Sequence, residues 1–106
     1  MLYFKGQGVP QDYAKAQQWL EKAAAQGNAE AQFLLGGLYI IGLGGGSEDN
    51  LRAYMWFSLA APHLTGDQQK LAADTRDKLA SIMDPAQIAE AQRMTSQCQA
   101  RQFKGC

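Results

Sequence analysis

The feature that most constrains this chain is that much of its first quarter comes round again. Tyr3, Gly6 and Gly8 recur as Tyr39, Gly42 and Gly44, each 36 residues on. Asp12, Ala16, Trp19, Ala23 and Ala24 recur as Asp49, Ala53, Trp56, Ala60 and Ala61, each 37 residues on. One residue inserted between Gly44 and Asp49, inside a run that reads as a loop, accounts for the change of spacing. A unit of this length is a small piece of supersecondary structure that cannot bury its apolar face alone, so copies must stack.

Composition decides which kind of unit it is. Alanine and glutamine are abundant and β-branched residues are few, which favours helices over sheet. Basic and acidic residues cancel at ten each, so no overall field draws the chain to nucleic acid or to an anionic membrane. No apolar run approaches the ~18 residues that a membrane span needs. No signal peptide is visible, because Met1–Lys5 leads straight into the Gly6–Gly8 turn.

Along the chain, Gly6-Gln7-Gly8-Val9-Pro10 reads as a turn in which the glycines tolerate positive φ and Pro10 blocks a helix behind it. Asp12 suits an N-cap, and Ala16, Trp19, Leu20 and Ala23 follow at helical spacing to a stop at Gly27. Asn28 caps a second, shorter helix with Ala31, Leu35, Leu38 and Tyr39 on one stripe, ending at Gly42. The tryptophans and tyrosines are expected to fill the layers between helices that small residues let approach. Gly42–Ser47 is a glycine-rich loop; with no preceding strand and no Gly-Lys-Ser/Thr ending it does not fit a phosphate cradle. Asp49–Ala61 repeats the long helix, and its apolar run Tyr54–Phe57 predicts burial on more than one side. After Pro62 the pattern decays. A helix opened by Gly66 and Asp67 carries Leu71, Leu79 and Ile82 on one face. Asp84-Pro85-Ala86-Gln87 is a sharp start for a last helix, with a capping box.

Leu2-Tyr3-x-x-Gly6-x-Gly8-Val9, Asp12-Tyr13-x-x-Ala16-x-x-Trp19, Ala23-Ala24 and Gly27 together resemble the Sel1-like repeat, a tetratricopeptide-type helical hairpin. The second copy continues the likeness through Ala29, Ala31, Gln32, Leu35, Gly36, Leu38, Tyr39, Gly42 and Gly44. It departs at Gly45 and Gly46, where the turn valine is expected, and at Asn50, where the first copy has Tyr13. The match is specific over residues 2–61 and weak over 62–106. The resemblance implies an all-α fold, an α/α right-handed superhelix of stacked antiparallel hairpins, acting as an adaptor for protein partners. The expected organisation is one helical-repeat domain: residues 1–27 a truncated first repeat, 28–64 a second, and 65–106 degenerate capping helices. The chain reads as starting in mid-repeat, as a fragment of a longer member would.

The positions fixed by the family pattern are mostly packing positions, so binding is expected on the others. Glu30, Leu34, Gly37 and Ile41 form one stripe of the short helix, and Phe33 and Ile40 adjoin it. Apolar side chains there suggest a concave groove for a protein or peptide. The alternative is that Phe33, Leu34 and Ile41 cover the cut N-terminal end or pack on a missing repeat. Cys98 and Cys106 are separated as Ala24 and Gln32 are across an equivalent inter-helix turn, and the spacing resembles the bridged cysteines of a secreted, cysteine-rich branch of the family. A disulfide is expected, which would favour the periplasm or the exterior; two free thiols, and a cytoplasmic protein, are the alternative. No cofactor or metal is expected, since two cysteines and a distant His63 do not make a zinc site. Ser47, Ser58, Ser81 and Ser96 lie in no nucleophile motif, and Asp74, Asp77, Glu48 and Asp49 read as helix surface and caps.

The leading reading is a non-catalytic interaction module. The runner-up, implied by the cysteine-rich branch, is a cell-envelope small-ligand binder or an enzyme acting on β-lactams or peptidoglycan fragments; turnover of a chromogenic β-lactam would favour it. Leu2, Tyr3 and Phe4 leave an apolar end uncovered, because terminal repeats need a polar cap. Self-association or a displaced N-terminus is therefore expected, and a strict monomer with an ordered N-terminus in sedimentation and NMR would count against it.

Overall fold

The computed structural model describes residues 10–40 and 47–106, and the side chains of 10–14 and 47–49 fall outside that description. The apolar end at Leu2, Tyr3 and Phe4, the Gly6–Gly8 turn, Ile41 and the loop glycines 42–46 all lie outside the described residues. Five α-helices are described: α1 (Pro10–Ala25), α2 (Ala29–Ile40), α3 (Ser47–Ala60), α4 (Gly66–Ile82) and α5 (Pro85–Ala100). A single 3-10 turn, Ala61–His63, follows α3. Short connections fold α2 back on α1 and α4 back on α3 as antiparallel hairpins, whereas α5 packs on α3.

Both long helices begin two residues earlier than the candidate N-caps Asp12 and Asp49 suggest. In α1 the reason is Pro10. Its ring presets the helical φ, and its missing N–H costs nothing in the first turn, where that donor has no partner within the helix. Asp12 thereby falls in the first turn and not at the cap position. The end of α1 is as the sequence reads. Gly27 takes a φ of +88°, the Asn28 N–H donates to the Ala23 carbonyl and the Gly27 N–H to that of Ala24. That pair of bonds is the Schellman closure. Asn28 then caps α2, accepting the Ala31 N–H on Oδ1 at 2.8 Å. At α5, Asp84 Oδ1 accepts the Gln87 N–H at 2.8 Å and Gln87 Oε1 accepts the Asp84 N–H at 3.0 Å, so the capping box is complete.

The periodicity does not stop where the sequence pattern fades. α2 and α4 begin 37 residues apart, as α1 and α3 do. The fully buried Gln32 sends its Nε2 to the Ala24 carbonyl, 3.2 Å away, and Gln69 sends its own to the Ala61 carbonyl at 3.0 Å. Advancing Ala61 and Gln69 by 37 more gives Cys98 and Cys106, which are disulfide-bonded with Cα atoms 5.6 Å apart. Three successive turns are thus closed across the same two positions, twice by an amide and once by a covalent bond.

α3 is the centre of the stack, in contact with α2, α4 and α5. Tyr54, Met55, Trp56 and Phe57, four consecutive residues and therefore four directions around the helix, are all buried. Trp56 shares the lining of one cleft with Glu21 and Ala25 of α1 and with Phe103, Gly105 and Cys106 of the C-terminal turn. Its counterpart Trp19, expected to fill a layer, is 76% exposed. Among the described residues no helix precedes α1 to cover it. The inward face of α4 also differs from the expectation. Ala72 and Leu79 are buried, as is Met83 just beyond the helix end, whereas Leu71 is 54% and Ile82 70% exposed. Ala72 stands in the register of Leu35, where close helix approach favours a methyl group, and a small residue carries little weight in an apolar pattern.

Gly36 and Gly37 test this packing side by side. A Cβ at Gly36 would stand 3.0 Å from Cε2 and 3.1 Å from Cζ of the buried Phe57 ring, whereas at Gly37 it would meet nothing within 4 Å. Alanine gains about 0.5–1 kcal/mol over glycine inside a helix, and overpacking costs about 1–3 kcal/mol. Gly37→Ala should therefore raise the denaturation midpoint while Gly36→Ala lowers it, measured by helical circular dichroism.

Candidate functional site

The α2 face that bears the expected binding residues opens onto a groove of about 450 Å³. Its walls are Phe33, Leu34, Gly37, Leu38 and Ile40 of α2, Phe57 of α3, and Leu71 and Thr75 of α4. Two pairs across it are repeats of one another: Leu34 and Leu71 stand 37 residues apart, and so do Leu38 and Thr75. The groove is therefore lined by the same face of the second helix of two successive hairpins, not by an accidental gap at one joint.

Local chemistry keeps it open. Gly37 contributes no side chain, and Thr75 is shorter than the leucine at the equivalent place in α2. The floor is aromatic. The Phe33 ring meets Phe57 edge to face, with centroids 5.7 Å apart and an interplanar angle of 73°. Gly36 lets that floor form, since the Phe57 ring occupies the space a side chain would take. At the rim, Gln68 Nε2 of α4 donates to Glu30 Oε2 of α2 at 3.4 Å, an exposed polar tie.

Of the sequence-derived residues, Phe33, Leu34 and Gly37 line the groove, Glu30 makes the tie to α4, and Ile41 lies outside the described residues. Phe57, Leu71 and Thr75 were not among them. The 37-residue step from Leu34 to Leu71 is the sequence signal that would have found the α4 wall.

Other polar groups do not converge on it. His63 is exposed in the 3-10 turn, and the Ser81 hydroxyl donates to the Lys78 carbonyl of its own helix at 2.6 Å. On the surface of α5, which lends nothing to the groove, a hydrogen bond from Arg93 (Nε to Oε1, 2.9 Å) holds the Glu90 carboxyl below the usual carboxylate range. Among the described residues no three His, Cys, Asp or Glu side chains are grouped to hold a metal ion, and no helix is long and apolar enough to cross a membrane.

The family model of the Sel1 repeat matches residues 1–28 and again residues 29–61. No curated protein and no solved structure matches the chain. Sel1 repeats are tetratricopeptide-like helical repeats that generally mediate protein–protein interaction and are typically non-catalytic. Two adjoining matches over more than half of its length, on stacked antiparallel hairpins, make this chain a member of the Sel1 repeat family.

Proposed function

We propose that this protein is a non-catalytic interaction module that seats a peptide segment of a protein partner in the groove between α2 and α4. The observation that carries the reading is the recurrence of Leu34 as Leu71 and of Leu38 as Thr75 on one open apolar surface. Equivalent helices that present one face in succession form the concave side of a stacked superhelix, where extended binding surfaces lie.

The chemistry of the walls specifies the occupant. An aromatic floor and branched aliphatic walls take large apolar side chains, spaced as on one face of an amphipathic helix. Gly37 is the clearance into which such a side chain reaches. Thr75 and the Glu30 carboxylate supply polar contacts that set orientation more than affinity. Leu71 and Ile40, exposed in the free protein, are the surface whose burial drives association.

Peptides selected from a displayed random library on the intact protein should be enriched in paired large apolar residues. Leu34→Asp and Leu71→Asp should each weaken those peptides by about 30-fold or more, the ~2 kcal/mol of an interface hot spot, without loss of helical signal. Peptides that bind both variants as tightly as the parent would show that the partner docks elsewhere.

A further inference from the structure

We propose that residues 101–106 are a strap over Trp56 that a dithiol reductant releases. The strap leaves the end of α5 and turns back on it. The Phe103 N–H donates to the Cys98 carbonyl at 2.8 Å and the Lys104 N–H to that of Arg101 at 3.2 Å. Among the described residues, its backbone hydrogen bonds run to α5 or within the strap itself. Its hold on the rest of the fold is the Phe103 ring, which lies 3.6 Å from where a Cβ of Gly27 would stand in the turn between α1 and α2. Trp56, only 3% exposed, lies beneath with Glu21 and Ala25.

Three properties make this a latch and not simply a packed terminus. The strap is flanked by clefts on both sides, one of about 220 Å³ beside Trp56 and another of about 170 Å³ beside Met55 and Met94. Its backbone is held in an unfavourable form, with Gln102 at a φ of +54° and Phe103 at +70°, both non-glycine residues in the left-handed region. The bond that fixes it has one accessible end, because Cys98 is buried while Cys106 is exposed.

The exchange follows from that asymmetry. A thiolate of the dithiol attacks Cys106 Sγ, the Cys98 sulfur leaves as thiolate and takes a proton from solvent, and a mixed disulfide stands on Cys106. The second thiol of the reductant, deprotonated, attacks the reductant's sulfur in that mixed disulfide. Cys106 leaves and is protonated, and the reductant ends as its own disulfide, having given up two electrons and two protons. Gln102 and Phe103 then relax to ordinary φ values, the ring withdraws from Gly27, and Trp56 meets solvent. Nothing in this device depends on the α2–α4 groove.

The chain has two tryptophans, and Trp19 is already exposed, so Trp19→Phe leaves Trp56 as the reporter. Adding dithiothreitol under native conditions should shift Trp56 emission to longer wavelength and raise its quenching by acrylamide, with the helical signal retained and both effects reversed on reoxidation. Cys98→Ser with Cys106→Ser should show the shifted spectrum without reductant and no further response. Phe103→Ala, with the bridge intact, should raise quenching by itself. Two titratable thiols with unchanged Trp56 emission would overturn the proposal. So would loss of the helical signal on reduction, since the bridge would then staple the whole fold, or a Phe103→Ala protein whose Trp56 stays shielded.

Discussion

The stacking of this fold depends on how the chain turns after α1, after α3 and after α5. Where a hairpin ends and the chain re-enters the stack, backbone carbonyls lose their helical partners and need others. At the first such turn the buried Gln32 amide reaches the Ala24 carbonyl, and at the next Gln69 reaches that of Ala61. These bonds tie the first turn of the arriving helix to the end of the departing segment at the same register in both copies. At the third position of the series the same two sites are held by a sulfur–sulfur bond. A disulfide across so short a loop constrains mainly the local ensemble. It is suited to fixing a terminus.

Given that geometry, the groove is a consequence. Keeping the 37-residue register brings Leu71 up beside Leu34 and Thr75 beside Leu38. Residues that would have been buried in a two-helix contact are instead left as the walls of a channel, because Ala72 rather than Leu71 points to the core. The same register buries Trp56 and leaves Trp19 exposed: a repeat side chain is only as buried as the neighbour that covers it. In a stack, exposure is set by position in the series, not by residue type.

Much of the architecture was legible in the chain. Gly27, Asn28, Asp84, Pro85 and Gln87 mark helix ends through local chemistry that acts over a few residues, and each does what its type implies. The α2 wall of the groove was legible too, since Phe33, Leu34 and Gly37 fall outside the positions the repeat fixes. The α4 wall was not. Pattern reading put Leu71 and Ile82 on the core face because it weighs side chains by hydrophobicity, and Ala72 is too small to register against them. The starts of α1 and α3 were read two residues late, since an aspartate near a helix start serves as well inside the first turn as at the cap.

By itself, then, the sequence determined the unit, its period, its turns and the residues that its packing spares. Those are properties of short segments, and short-range spacing encodes them. The tertiary structure decided which copies of equivalent residues are covered, that α2 and α4 share one groove, and that Phe103 crosses to Gly27 beside the buried Trp56. Such contacts join residues far apart in the chain, and their energies depend on the shape left by everything packed between them.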